Sequence, residues 1–403
     1  MSIAPPVRAG LHRAAGLAAL AALLACVLPV LSACTIPSRP AWWPKHSSSP
    51  GSFSAGADST VRTVAQPWHA GMRQLGIQVY WVANTQDSGL VVQAKARRII
   101  NYAVGLGANS IEVTFPFYTY GIASDKVYAT RATPSPAHIG FFLAEAARSH
   151  IRVTLRPILN EAVLVAENPL AWRGTIQPTS TAAWFRSYRK LLMPYAEVAQ
   201  TGHAATFVIG AELESLEPAP EWTDLVSSVR SVYKGQLIYD ENFNEFAAHY
   251  RGLPLSAFGI DAYPRFNLPD SASVSTLAKA WDDWLGTHSR AVLHKLVLEE
   301  VGIDAVAGSF SDPGAWVGTI RAPIDTSVQA KWYEAVCRAV KTKGLAGVYW
   351  WDVSFDADPA NVGPWQSDRL TFLGRPAQEV IKNCFASITT ETAASSAHFR
   401  PST

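Results

Sequence analysis

The chain has 403 residues, 48% of them hydrophobic, 16% charged and 11% aromatic, with 14 tryptophans. That apolar share supplies a large core and excludes a disordered chain. A formal net charge of +2 offers no basic field for nucleic acid, so nucleic acid is excluded as an expected partner.

In chain order, the first element is a leader. "MSIAPPVRAGLHR" carries Arg8, His12 and Arg13 without an acid, and the apolar run Ala14–Ala33 follows. This is the basic n-region and apolar h-region of a secretory signal. The run is also long enough to span a bilayer. Pro29 and "LSAC" (Leu31–Cys34) favour another reading, because they resemble the bacterial lipobox, in which small residues precede a cysteine that is cleaved and lipidated. The expectation is a signal peptide over 1–33, lipid on Cys34, a membrane partner through that lipid, and a protein outside the cytoplasm. Residues 34–67 are rich in Ser, Pro and Gly and read as a flexible tether. Residues 387–403 are polar and read as a disordered tail.

Between tether and tail, 68–386 alternates short apolar runs with helical patterns. The strand candidates are "GIQVYW" (76–81), "SIEVTFPF" (110–117), "IRVTLRPI" (151–158), "TFVIGAE" (206–212), "GQLIYDEN" (235–242), "AFGIDAYP" (257–264), "KLVLEEVG" (295–302) and "GVYWWDVS" (347–354). The stretches between them, such as "LVVQAKARRIINYAVGLG", repeat apolar residues at helical spacing. Eight such units over about 320 residues predict an α/β fold, a single-domain (β/α)8 TIM barrel. A doubly wound open sheet needs a Gly-rich loop after the first strand, and "YWVANTQDSG" is not one.

Barrel active sites lie at the C-terminal ends of the strands. Those ends carry Asn84, Phe115 to Tyr118, Arg156 to Asn160, Glu212, Asp240 to Asn242, Asp261, Tyr263, Glu299, Glu300, Trp350, Trp351 and Asp352. Acids for proton transfer beside flat rings for stacking point to a carbohydrate substrate. Glycosidic cleavage needs two carboxyls flanking one bond. Glu212 and Glu300, on the fourth and seventh strands, face each other across an eight-stranded barrel. Alternation places Val208, Gly210 and Glu212 on one face, with Gly210 beneath the site. Glu214 and Glu217 read as a solvated loop or a rim. For "VLEEVGI", alternation separates Glu299 from Glu300 without saying which looks inward. Arg156 reads either as a ligand or as the ion-pair partner of a buried acid. Asp240 and Glu241 read as rim structure. The histidines show no ligand spacing and no CxxC motif occurs, so neither a metal nor a cofactor is expected. Cys26 leaves with the signal, and Cys337 and Cys384 are left as a disulfide or as two buried thiols.

The order of "LGANSIEVTFPFY", "IRVTLRPIL", "FVIGAELESLE", "FGIDAYPRF", "LVLEEVGI", "SVQAKWYEAV" and "GVYWWDVS" over residues 76–355 resembles clan A glycoside hydrolases, most of all glycoside hydrolase family 113, best known for β-mannanase activity. The resemblance implies a retaining hydrolase with Glu212 as acid/base and Glu300, in "EEVG", as nucleophile. It implies substrate contacts from Tyr263, which would hydrogen-bond Glu300, and from Trp351, with Trp350 as the alternate if the register differs by one. Arg156, Asn84 and Asn242 complete the candidate binding set. One departure stands out: the clan's Asn directly before the acid/base is Ala211 here, which leaves Asn160 or Asn242 to replace it. A glycan-binding lipoprotein without turnover and a transglycosylase using the same carboxyls are the alternatives.

Overall fold

The computed structural model describes residues 60–398, apart from 249–252, 254, 256, 258, 315–321 and 363–368. The leader, Cys34 and most of the tether therefore lie outside the described residues. Eight parallel strands close into a barrel: β1 (Gln74–Tyr80), β2 (Ser110–Thr119), β3 (Arg152–Leu159), β4 (Thr206–Ala211), β5 (Gln236–Asn242), β6 (Gly259–Asp261), β7 (Val297–Val301) and β8 (Gly347–Ser354). Each pairs with its neighbour, and β1 pairs with both β8 and β2, which closes the ring. Every expected strand is present. One element was not anticipated: Val127–Tyr128 pairs antiparallel with the end of β2, Tyr118 opposite Tyr128.

Helices pack outside the ring because their starts and stops are written locally. Ser88, Ser135, Ser180 and Ser273 each accept a hydrogen bond from a first-turn amide. At the other end, Gly344 takes the left-handed conformation that closes the helix Thr326–Lys343. Apolar residues that alternate outward on the strands, such as Phe115, Phe117 and Phe207, meet helix side chains such as Tyr188 and Tyr195 or the loop residue Tyr233. Among the described residues, no helix is long and apolar enough to cross a membrane.

The two ends of the barrel domain differ from expectation. Residues 60–67 are not a free tether: the Val64 amide donates to the Ser149 carbonyl, and Arg62 N donates to Asn101 Oδ1. At the other end, the helix Pro376–His398 runs through most of the stretch expected to be disordered. Cys384 in that helix is joined to Cys337 of Thr326–Lys343 as a disulfide.

Inside the ring the barrel is polar, unlike the branched aliphatic filling common to the fold. At the base, Arg152 donates to Thr154, Tyr349 and Thr206, and Trp68 covers its guanidinium at 5.0 Å. Above it lie Glu112, Arg156, Asp240, Asp261 and Glu299, all buried. That layer supports the mouth.

Candidate active site

Three local irregularities aim side chains into the mouth. Across β5, Val208 pairs with Ile238 but Ala211 pairs with Asp240, so β4 carries one extra residue just before Glu212. On β7, both neighbours report the same insertion: Ile260 pairs with Leu298 but Asp261 with Glu300, and Val301 slips by one against β8. A third lies on β8, where Ile77 pairs with Trp350 but Val79 with Val353. Such bulges re-aim side chains at barrel rims.

They also explain why alternation alone misplaced two residues. Gly210 does not lie beneath the site. Its α-carbon faces the outer layer, where a Cβ would stand 2.8 Å from Trp222. Glu212, beyond the bulge, takes a φ of 53°, a left-handed conformation rare for a side chain of this size. On β7 the bulge lets both consecutive acids turn inward: Glu299 lies deep against Glu112, and Glu300 lies higher, against Arg156 and Tyr263.

Glu300 receives two donors. Arg156 Nη1 donates to its Oε2 at 2.7 Å, and the Tyr263 hydroxyl donates to Oε1 at 2.6 Å. Arg156 itself is 0% exposed, which favours its reading as the ion-pair partner of buried acids. It also pairs with Asp240 at 2.7 Å, with Asp261, and with Glu112 at 3.4 Å. Four carboxyls around one guanidinium exceed its charge, and protons make up the difference. Burial raises Glu112 and Asp261 well above the usual carboxyl range and Asp240 to about 8, against the opposing pull of Arg156. Ion pairs this deep give little net stability, because desolvation offsets attraction. Here they fix the height and direction of Glu300.

Glu212 sits in a different environment. Asn242 Nδ2 donates to its Oε1 at 2.7 Å, and Arg173 Nη1 donates to Oε2. Asn242 thus reaches the acid that has Ala211 before it. Asn160 bonds other partners: its Oδ1 accepts from the Ala162 amide at 3.0 Å, and its Nδ2 lies 3.5 Å from the hydroxyl of Tyr80, the neighbour of Trp351. Burial pushes Glu212 up to about 7, with Arg173 opposing and the charges of Glu300 and Glu161 assisting. Burial therefore does more than the neighbouring carboxylate.

Arg173 and Glu161 were missed in the sequence. Arg173 opens a three-residue 3-10 helix, Arg173–Thr175, in the connection after β3, too short for any periodicity to mark it. Its Nε donates to the Leu159 carbonyl at 3.0 Å and lies 3.1 Å from Glu161 Oε1. The available signal was indirect: a buried acid at Glu212 requires a cation or a proton.

Trp351 is half-buried at the mouth, its ring 5.6 Å from that of Tyr80. Trp350 is not at the site. It is fully buried in the outer layer, 4.7 Å from the Tyr333 ring. Gly302 of "EEVG" is needed for close approach, since a Cβ there would meet Trp351 at 3.1 Å and the Tyr263 hydroxyl at 3.3 Å. Asn84 is exposed, its Oδ1 accepting from the Gln86 amide at 3.0 Å. Glu217 is buried rather than solvated, and burial raises it to about 7 beside Tyr239. Glu214 is half-buried near Asn244. Among the described residues, no three His, Cys, Asp or Glu side chains are grouped to hold a metal ion.

Solved structures share this fold. A GH113 β-1,4-mannanase in complexed form is 19% identical, covering 78% of this chain and 99% of its own, with a TM-score of 0.63. The GH113 β-mannanase of Alicyclobacillus acidocaldarius is 20% identical over 79% of this chain and 98% of its own, at 0.61. A family 5 mannosidase from Rhizomucor miehei is 13% identical, covering 82% of this chain and 98% of its own, at 0.51. Comparison with curated protein sequences gives no match. The sequence profile of Glycoside Hydrolase Family 113 matches residues 81–368, well over half of the chain, and the chain belongs to that family.

Proposed function

We propose that this glycoside hydrolase cleaves β-linked, mannan-type oligo- or polysaccharides with retention, using Glu212 as acid/base and Glu300 as nucleophile. The observation that carries the reading is the contrast between the two acids. Glu212 is buried and raised to about 7, which suits a group that must hold a proton near neutrality and then release it. Glu300 accepts from a guanidinium and a phenol, donors that suit a charged carboxylate.

In the first step, Glu212 gives its proton to the glycosidic oxygen as the bond to the anomeric carbon breaks. A Glu300 oxygen bonds to that carbon, forming a glycosyl ester. In the second, water attacks the same carbon, Glu212 takes the water's proton, and the ester bond to Glu300 breaks. Retention requires carboxyls about 5–5.5 Å apart. Consistent with close approach, Glu300 contributes to the electrostatic shift of Glu212. The Trp351 face would floor the sugar that is cut. The mannan assignment draws support from two structural relatives, both named as mannanases.

The test is incubation of wild type, Glu212→Gln and Glu300→Gln with manno- and gluco-oligosaccharides. The reading predicts hydrolysis of the manno series and loss of at least about 1000-fold in either variant. Turnover unaffected by either substitution would sink it. Wild-type binding without turnover would favour a glycan-binding protein, and transfer to added sugar in preference to water a transglycosylase. From the leader, we also infer attachment to the outer face of the cell membrane through lipid on Cys34. Metabolic labelling with palmitate should mark the wild type and not Cys34→Ala, and an unlabelled wild type or equal label in Cys34→Ala would contradict it.

A further inference from the structure

Past Trp351, the mouth continues along β1 and β2 as a line of aromatic rings that the two-step chemistry does not use. The Trp351 ring stands 5.6 Å from Tyr80, and Tyr80 lies within electrostatic reach of Tyr118. From Tyr118 the line passes to Tyr128 at 6.1 Å and then to Tyr120 at 4.2 Å, where the two rings stack at 20°.

The direction of these side chains follows from the strand. Glu112 on β2 lies against Arg156 inside the barrel, and Thr114 donates to Gln78 there. Phe115 and Phe117 turn outward to the helix residues Tyr195 and Tyr188. Alternation therefore places Tyr118 on the inward face of Glu112 and Thr114, and Tyr120, one residue past the end of β2, is placed by its stacking on Tyr128. Tyr128, registered opposite Tyr118, shares that face. The unexpected short strand thus has a consequence: it supplies the backing ring for Tyr120.

Exposure increases along the line. Tyr118 and Tyr128 are half-buried and Tyr120 is 66% exposed. Among the described residues, the exposed large apolar side chains are Leu90, Tyr120, Leu170 and Val362, so Tyr120 is the one aromatic in that set. A phenol held flat on a second ring offers a rigid, amphipathic surface at low entropic cost. Such a surface suits the apolar face of a pyranose, with hydroxyls free to bond at the edge.

We propose that Tyr118, Tyr128 and Tyr120 form a rail that binds additional sugar units of a β-linked chain as it leaves the catalytic cleft past Trp351 and Tyr80. The proposal rests on the hydrolase reading for its substrate class and adds a specificity-determining site to it. It makes chain length the variable that the rail senses.

The experiment compares wild type, Tyr120→Ala and Tyr120→Ala/Tyr128→Ala on β-1,4-linked manno-oligosaccharides of two to six units, with melting curves to establish folding. The rail predicts that Tyr120→Ala lowers kcat/KM on the hexasaccharide about 3- to 10-fold, with a larger loss in the double variant. Turnover of the disaccharide stays within about twofold of wild type. Equal losses at all chain lengths, or no loss on the hexasaccharide, would overturn it. Retardation of the same proteins in gels containing soluble mannan separates this outcome from failure of the hydrolase reading. If wild type turns nothing over yet is retarded, the rail still predicts reduced retardation for Tyr120→Ala, and undiminished retardation refutes it. A wild type that is not retarded by the polymer also refutes it.

Discussion

Replacing Arg173 with glutamine removes the cation that holds Glu212 down. In the native protein, burial raises Glu212 to about 7, and Arg173 is the largest influence opposing that rise. An opposite charge in direct contact lowers a carboxyl by about 1–3 units. Its removal therefore moves Glu212 to about 8 or higher, each unit being worth about 1.4 kcal/mol. Glu161 adds to the shift, because it loses the same partner and remains beside Glu212. The assay is the pH dependence of kcat/KM on an unactivated manno-oligosaccharide, where the alkaline limb reports the proton on the acid. Arg173→Gln should shift that limb upward by about 1 unit or more, and Arg173→Lys, which keeps the charge, by less. A substrate with a strongly acidic leaving group needs no proton and should show no such shift. Leaving two acids without their cation destabilises the fold by about 3–5 kcal/mol, so melting curves accompany the profiles. A limb that stays in place or moves to lower pH in a folded Arg173→Gln protein would refute the reasoning.

Three further outcomes follow from the geometry. Tyr263→Phe removes the 2.6 Å hydrogen bond to Glu300 and should lower kcat about 10- to 100-fold without unfolding the protein, as measured by steady-state kinetics; an unchanged kcat would contradict a role for the hydroxyl. Trp351→Ala and Trp350→Ala should separate cleanly. The first loses kcat/KM at nearly native stability, and the second loses about 3–5 kcal/mol in denaturant titration because it empties a filled site in the outer layer. Stability should fall as pH rises from about 5 to 8. Glu212, Glu217 and Asp240 are raised to about 7, 7 and 8 by burial, so the folded state holds protons that the unfolded chain releases near pH 4. A melting temperature that rises over that interval would show that these groups are not protonated in the fold.

The barrel was legible because its signals are local and repeated: apolar runs of strand length, apolar residues at helical spacing between them, and polar residues at strand ends. The two acids of the proposed pair could be singled out for the same reason, since Glu212 and Glu300 terminate such runs. What strict alternation could not supply was aim. One inserted residue on β4 turns Gly210 outward, and one on β7 sends both Glu299 and Glu300 inward; the first has a single marker, the isolated Gly210 within a strand, and the second has none. Arg156 was readable as a partner for buried acids, but not that it joins four of them. Arg173 escaped because its position, at the start of a short 3-10 helix after β3, depends on the Leu159 carbonyl and Glu161, contacts that only the folded chain creates. The polar tail was misjudged from composition, which records its lack of apolar residues but not that a packed helix continues into it.

The central claim is that Glu300 forms a covalent bond with the sugar while Glu212 supplies and recovers the proton. Its most direct test is to inactivate the protein with a 2-deoxy-2-fluoro-mannosyl donor carrying a good leaving group, then locate the added mass by peptide sequencing. The account predicts one fluorosugar per chain on Glu300, none in Glu300→Gln, and undiminished labelling in Glu212→Ala. Labelling of Glu299 or another side chain, or of Glu300→Gln at the wild-type rate, would contradict it.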